Sequence, residues 1–274
     1  LDFIGNYEKA GKAPLLLSGE QSFNKKGSCE YQDLEYPDDC IVDFDMRLID
    51  LFKEIDKKKL TLKMQIRQEY YRVKELLDGK RPSRMDLFTY MDDEIYRICV
   101  SGSHAKENPF QHYLDFLYEL GELSEDEQEL YAGIGREFIQ TIETTEMQKV
   151  YKMPILYSFY NHGNIRLAVT DEEVLESWKE FFDTGTNWKD FPNVNTYEDY
   201  KKVTDKQHLS KAKRMPIRFL KVSGKGFFVE KDGYALALRD EIGEVVGNMA
   251  FGEQMGDVLG YRSLEYYRRR YEKE

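Results

Sequence analysis

Four histidines, His104, His112, His162 and His208, are the first side chains to test for metal ligation or proton transfer. No two of them stand at a spacing that would hold a metal. The three cysteines, Cys29, Cys40 and Cys99, are odd in number and form no Cys-x-x-Cys. They fit a reducing cytoplasm, and neither a disulfide framework nor a zinc site. No Gly-x-Ser-x-Gly occurs, and no Cys/His couple is evident. Ser223-Gly-Lys-Gly-Phe-Phe228 has the flavour of a phosphate loop. It lacks the first Gly and the Ser/Thr after the Lys, so it reads as a turn. Acidic pairs occur at Asp92-Asp93-Glu94, Asp126-Glu127, Asp171-Glu172-Glu173 and Asp240-Glu241. A metal-binding pair would stand directly at the end of an apolar strand, and none of these does. The middle two sit at expected helix starts, where carboxylates cap free N–H groups and complement the helix dipole.

Two partial nuclease patterns also fail. His104-Ala-Lys106 begins like the His-x-Lys half of a phospholipase-D-type motif, but position 111, where Asp should follow, is Gln. Pro37-Asp38 with Asp56-Lys-Lys58 imitates a restriction-nuclease pattern, in which carboxylates hold Mg²⁺ and a Lys steadies the nucleophile. That chemistry wants its residues on a strand, whereas Asp56 and Lys58 fall at the end of an expected helix. The expectation is therefore a chain with no complete catalytic site and no metal site of its own.

Charge says more. The 274 residues carry a net −11, which counts against a chain that coats nucleic acid over its whole surface. The charge is unevenly spread. Residues 36–145 are net −9, and residues 146–274 are net 0. Glu107 to Gly135 holds eight carboxylates and no Lys or Arg. Lys201 to Lys225 holds nine bases and one acid, and Arg268-Arg269-Arg270 lies near the end. A basic stretch on an acidic chain has the form of a localised nucleic-acid footprint. It is equally the form of a solvated helix face. No run reaches the ~18 apolar residues of a membrane span, and no secretory leader pattern is present.

The elements that would position these residues are mostly helical. Phe44, Leu48, Leu51, Phe52 and Ile55, then Leu62, Ile66, Tyr70, Val73 and Leu77, recur at helical spacing. Asp78-Gly79 ends the second helix, and Pro82-Ser83 restarts the chain with a capping box to Asp86. The outline is that of a helix-turn-helix or of any helical hairpin. Helices are expected near 109–120 and 125–147, the latter capped by Ser124 with Glu127. Ile165–Val169 alternates like a strand, and Thr170-Asp-Glu-Glu173 caps a helix with Val174, Trp178, Phe181 and Phe182 on its apolar face. Residues 183–204 look irregular. His208–Leu220 reads as a basic helix, and Asp232-Gly233 as the turn of a hairpin between Phe227–Glu230 and Tyr234–Leu238. Helix then two-stranded wing is the outline of a winged-helix module. The tail from Arg239 reads as helix. Most of the tyrosines and both tryptophans suit a core better than base stacking.

Leu1-Asp-Phe-Ile-Gly-Asn-Tyr7 resembles a late strand of the second RecA-like motor domain in superfamily-2 DEAD/DEAH-type helicases, including restriction-type Res subunits and defence-associated members. Asp43-Phe-Asp-Met-Arg-Leu-Ile-Asp50, Glu69-Tyr-Tyr-Arg-Val-Lys-Glu-Leu-Leu77, Arg81-Pro-Ser-Arg-Met-Asp-Leu-Phe88 and Tyr151-Lys-Met-Pro-Ile155 resemble the region downstream of that strand in a subset of these proteins. So do Met215-Pro-Ile-Arg-Phe-Leu220 and Gly224-Lys-Gly-Phe-Phe228. The resemblance implies a C-terminal accessory region of an ATP-dependent motor. The Walker A loop and Asp-Glu box are not in this sequence, which opens without Met and reads as a piece of a longer protein. ATP and Mg²⁺ would belong to the upstream motor domains.

The expected fold is mainly α. Residues 1–35 would be the trailing edge of the motor, 36–147 an acidic helical domain, and 148–274 a winged-helix-type α+β module. The expected function is non-catalytic guidance of nucleic acid, DNA before RNA. Lys211, Lys213, Arg214, Arg218, Lys221 and Lys225 would contact phosphates. The rival expectation is a protein-interaction scaffold that docks a partner subunit or nuclease module, with the basic stretch paired internally. No membrane partner is expected.

Overall fold

The computed structural model describes residues 61–271. Two compact units divide the chain, residues 1–68 and Glu69–Glu274. The described chain is mainly helical, with a small three-stranded antiparallel sheet. The expected boundary at 147/148 falls inside the second unit. The expected motor strand at Leu1–Tyr7, the helix from Asp43, and the Asp38/Asp56/Lys58 pattern lie outside the described residues.

Local sequence signals set most helix starts. Helix α1 (Leu62–Leu76) buries Tyr70 and Val73. It closes where the Gly79 N–H donates to the Lys74 carbonyl at 2.9 Å. Before α2 (Arg84–Tyr90), the Asp86 N–H donates to Ser83 Oγ at 3.1 Å, and the Ser83 N–H donates to Asp86 Oδ2 at 2.8 Å. Asp92 Oδ1 accepts from the N–H groups of Glu94 and Ile95 at the start of α3 (Asp93–Cys99). Next come α4 (Tyr113–Leu120) and α5 (Glu125–Ala132), the latter opened by the Ser124/Glu127 box.

The helix expected over 125–147 is in fact two. Gly133 is extended (φ −111°, ψ −169°) and separates α5 from α6 (Ile134–Thr144). Glycine is weakly held in a helix interior, so packing decides whether the helix continues through it. After α7 (Lys152–Tyr160) comes β1 (Ala168–Val169), then α8 (Asp171–Asp183) with the expected Thr170/Glu173 box. Residues 183–204 are less irregular than expected. They hold a 3₁₀ turn, Asn187–Asp190, and α9 (Tyr197–Lys201).

The basic stretch is α10 (Asp205–Ala212), a π turn (Lys213–Ile217) and α11 (Arg218–Ser223). The expected hairpin follows as β2 (Phe228–Val229) and β3 (Leu236–Leu238), turning through Gly233. Strand β1 adds to the other edge of β3, giving the order β1-β3-β2. Val169 lies opposite Leu236, and Phe228 opposite Leu238. The tail helix starts later than expected. A 3₁₀ turn, Asp240–Glu244, precedes α12 (Met249–Tyr271), and Asn248 Oδ1 caps it by accepting from the Phe251 N–H at 3.2 Å.

The core draws on residues from both sides of 147. The Phe138 ring meets Phe227 edge-on at 5.3 Å and tilts against Phe251 at 5.6 Å. Trp178, Phe159 and Phe182 are fully buried with them. Each such side chain contributes about 1.5–3 kcal/mol through removal from water.

One polar cluster sits among these apolar groups. Arg84 is fully buried. Its guanidinium donates to Glu143 Oε1 at 2.5 Å, to Asp257 Oδ2 at 2.8 Å and to Gln254 Oε1 at 2.7 Å, and it lies 4.4 Å over the Tyr113 ring. Burial opposes its charge, but Glu143 and Asp257 carry its pKa above the ordinary value. Gln254 Nε2 donates to Glu127 Oε1 at 2.7 Å, and Arg81 Nη2 donates to the same oxygen at 2.7 Å. Burial pushes the Glu127 carboxyl up, yet Arg81, the Ser124 N–H and Gln254 outweigh it and hold it below its ordinary 4.5.

Arg84→Met is expected to lower the unfolding free energy by about 3–5 kcal/mol, because it strands two carboxylates in the interior. Adding Glu143→Gln and Asp257→Asn should recover part of that loss in urea titrations. Glu127 makes the fold acid-sensitive. Its folded-state pKa lies below its unfolded value, so its stabilisation is complete above pH 4.5 and is lost as pH falls below that point. Denaturation midpoints measured from neutral to acid pH should fall less steeply in Glu127→Gln.

Candidate nucleic-acid interface

The basic helix is built so that one side is locked into the core. Thr204 caps α10, its N–H donating to Gln207 Oε1 at 2.8 Å. His208, Ala212, Pro216, Ile217 and Leu220 are buried. Pro216 lacks an N–H and cannot serve the carbonyl four residues back, and the helix widens into a π turn there. His208 packs its ring on Phe191 and Tyr200 at 4.9 and 5.6 Å. Burial, helped by Lys179, holds its pKa below the ordinary value, which makes it a neutral core residue.

The far end of this helix is anchored through a helix terminus. The last carbonyls of α6 have no intrahelical partners, and the helix dipole makes that end negative. Arg262 donates to the carbonyls of Glu143 and Thr145. Lys152 Nζ donates to Thr145 Oγ1 and to the Glu146 carbonyl, both at 2.9 Å, and reaches Ser223 Oγ at 3.1 Å. Burial lowers the Lys152 pKa. Lys152 therefore ties Ser223, at the end of the basic helix, to the segment that follows α6, whose last carbonyls Arg262 serves. Ser223-Gly-Lys-Gly226 is a turn into the hairpin, as expected.

The six expected phosphate contacts separate into two groups. Lys213 pairs with Asp171 at 2.5 Å, and Lys221 pairs with Glu230. Both partners lie outside the acidic 36–147 segment. Lys211, Arg214, Arg218 and Lys225 have no carboxylate partner among the described residues. Arg214, Arg218 and Lys225 are exposed, and Lys211 is half-buried. Lys211, Arg214 and Arg218 follow helical spacing on the side away from the buried residues. Lys225, just past the helix end, takes φ +49°.

Met215, Phe219 and Val222 share this outward side. Their i, i+4, i+7 spacing alone would make them a core stripe, yet they are 45%, 48% and 79% exposed. Nothing in the sequence singles them out, because only the packing of His208, Ala212, Pro216 and Leu220 shows which stripe faces inward.

The other basic run is engaged internally. Arg268 pairs with Asp93 at 2.8 Å and lies over Phe88, and Arg270 pairs with buried Asp190 at 2.7 Å. Tyr261, Tyr266 and Trp178 are core residues, as expected. Cys99 is buried, its thiol pushed up to about 12 by desolvation. Cys29 and Cys40 lie outside the described residues. Among the described residues no His/Cys/Asp/Glu group is placed to hold a metal ion. No described helix is long and apolar enough to cross a membrane. The chain matches no family model, no curated protein and no solved structure.

Gly224 fixes the join between the basic helix and the hairpin. A Cβ there would stand 2.3 Å from Phe228 Cδ2 and 2.5 Å from the Leu220 carbonyl oxygen. Gly224→Ala is expected to cost about 1–3 kcal/mol in thermal or urea unfolding, since the backbone atom has nowhere to move.

Proposed function

We propose that this chain is a non-catalytic accessory region of an ATP-dependent DEAD/DEAH-type helicase, and that it binds and guides nucleic acid, DNA in preference to RNA. The observation that carries the reading is the set of cations on the outer side of α10–α11, Lys211, Arg214, Arg218 and Lys225, with no counter-ion among the described residues. Unpaired cations on a helix that neutralise phosphates release the counter-ions condensed on the nucleic acid. Contacts of this kind position a strand without choosing its sequence. Met215, Phe219 and Val222 between the cations offer apolar surface to sugars and base faces. The order of basic helix and β2–β3 hairpin supports reading 148–274 as a winged-helix-type module, with the hairpin as its wing. ATP and Mg²⁺ belong to the motor domains, and no nucleotide chemistry is assigned to these residues. Residues 1–35 are read as the trailing edge of that motor, and the setting as cytoplasmic.

The second reading is a scaffold that docks a partner subunit or nuclease module. An open aromatic groove in the acidic segment favours it.

Replacing Arg214, Arg218 and Lys225 together with Ala should weaken DNA binding by the whole chain. The slope of log K against log salt should shrink by roughly 0.7–0.9 for each phosphate that the variant no longer neutralises. Lys213→Ala and Lys221→Ala, which disturb paired cations, should have less effect. Unchanged affinity and slope in the triple variant would refute the assignment.

A further inference from the structure

Helices α4 and α5 meet at an open groove of about 630 Å³ whose walls include Tyr118, Leu123, Gln128, Tyr131 and Arg136. Its lining includes a stacked pair of rings. Tyr118 and Tyr131 have centroids 4.6 Å apart and planes within 11°. The pair already carries one cation. The Arg136 guanidinium stands 4.4 Å from the Tyr131 ring centroid and pairs with Asp115 at 2.7 Å. The second ring has none. Tyr118 is 60% exposed, and no cation lies over it among the described residues.

The rim supplies the missing counter-charge. Asp115, Glu122 and Glu127 are paired with Arg136, Lys74 and Arg81. Glu125 and Glu129 are exposed and have no cationic partner among the described residues. On α5 Glu125 is three residues from Gln128 and Glu129 three from Ala132, both groove-lining residues, which sets the two carboxylates beside the lining, at its edge. From Glu107 to Gly135 the sequence contains no Lys or Arg.

We propose that this groove docks a basic, arginine-bearing segment of a partner protein. The incoming guanidinium stacks on Tyr118 and pairs with Glu125 and Glu129, repeating the arrangement of Arg136 on Tyr131 with Asp115. A guanidinium suits the site better than an ammonium because it is planar, weakly hydrated and able to stack while it hydrogen-bonds a carboxylate. Phosphates are repelled by the same carboxylates, so this surface is separate from the basic helix and does not depend on the nucleic-acid reading.

The test uses the full chain and fluorescently labelled arginine-rich, lysine-rich and citrulline-rich peptides of equal length, followed by anisotropy at low salt. The arginine peptide should bind about tenfold more tightly than the lysine peptide, and the citrulline peptide should not bind. Tyr118→Ala should cost about tenfold, and Tyr118→Phe should keep the affinity. Glu125→Gln with Glu129→Gln, both at the surface, should weaken binding and flatten its salt dependence. Equal affinity for the arginine and lysine peptides, or binding indifferent to Tyr118→Ala, overturns the proposal. Self-association in sedimentation runs that disappears in Tyr118→Ala also overturns it, by assigning the groove to a second copy of the chain.

Discussion

A fully buried guanidinium, Arg84, is the constraint from which the arrangement of the second unit follows. A charge taken out of water is tolerated only when it is paired and its hydrogen bonds are met. Meeting them brings together α2, the start of α4, the end of α6 and the first half of α12, through Tyr113, Glu143, Gln254 and Asp257. Gln254 and Asp257 are three residues apart on α12, so satisfying both sets that helix in rotation as well as in height. Gln254 then passes the constraint to Glu127 and Arg81. A small number of polar atoms thereby restricts how stretches far apart in sequence can close on one another.

The consequences reach the basic helix. With α12 fixed, Arg262 arrives at the carbonyl end of α6 beside Lys152, and Lys152 extends to Ser223. Arg262 serves the helix terminus, and Lys152 beside it links the segment after α6 to the end of α11. Arg214, Arg218, Met215 and Phe219 project from the outer side of α10–α11. On α4 and α5, Tyr118 and Tyr131 stack over an open groove among carboxylates. The near-zero charge of one half and the −9 of the other thus resolve into two surfaces of opposite sign, each with exposed apolar atoms. Surfaces of that kind select partners by charge and hold them by contact.

Much of the local structure was legible in the sequence because its causes are local. Ser83 with Asp86, Ser124 with Glu127 and Thr170 with Glu173 each satisfy N–H groups within three residues, and all three boxes are present. Asp232-Gly233 turns a hairpin for the same reason. The break at Gly133 and the late start of α12 were not legible. Glycine permits helix and extended chain alike, and Asn248 becomes a cap only where the preceding turn ends. Nor was the state of the cations. Arg268 and Arg270 read as a basic run like that of residues 211–225, but they pair with Asp93 and Asp190, which lie far away in sequence.

By itself, therefore, the sequence determined a mainly helical chain, where most helices begin, the hairpin, and the separation of an acidic stretch from a basic one. These depend on periodicity, capping and composition, which act between near neighbours. Only the tertiary structure decided that Arg84 is interior, that Met215, Phe219 and Val222 face outward, and that Lys213 and Lys221 are paired while Lys211, Arg214, Arg218 and Lys225 are free among the described residues. The physical reason is that burial and ion pairing are properties of distance in space. A charge or an apolar side chain acquires its role from what the rest of the chain brings within a few ångströms of it.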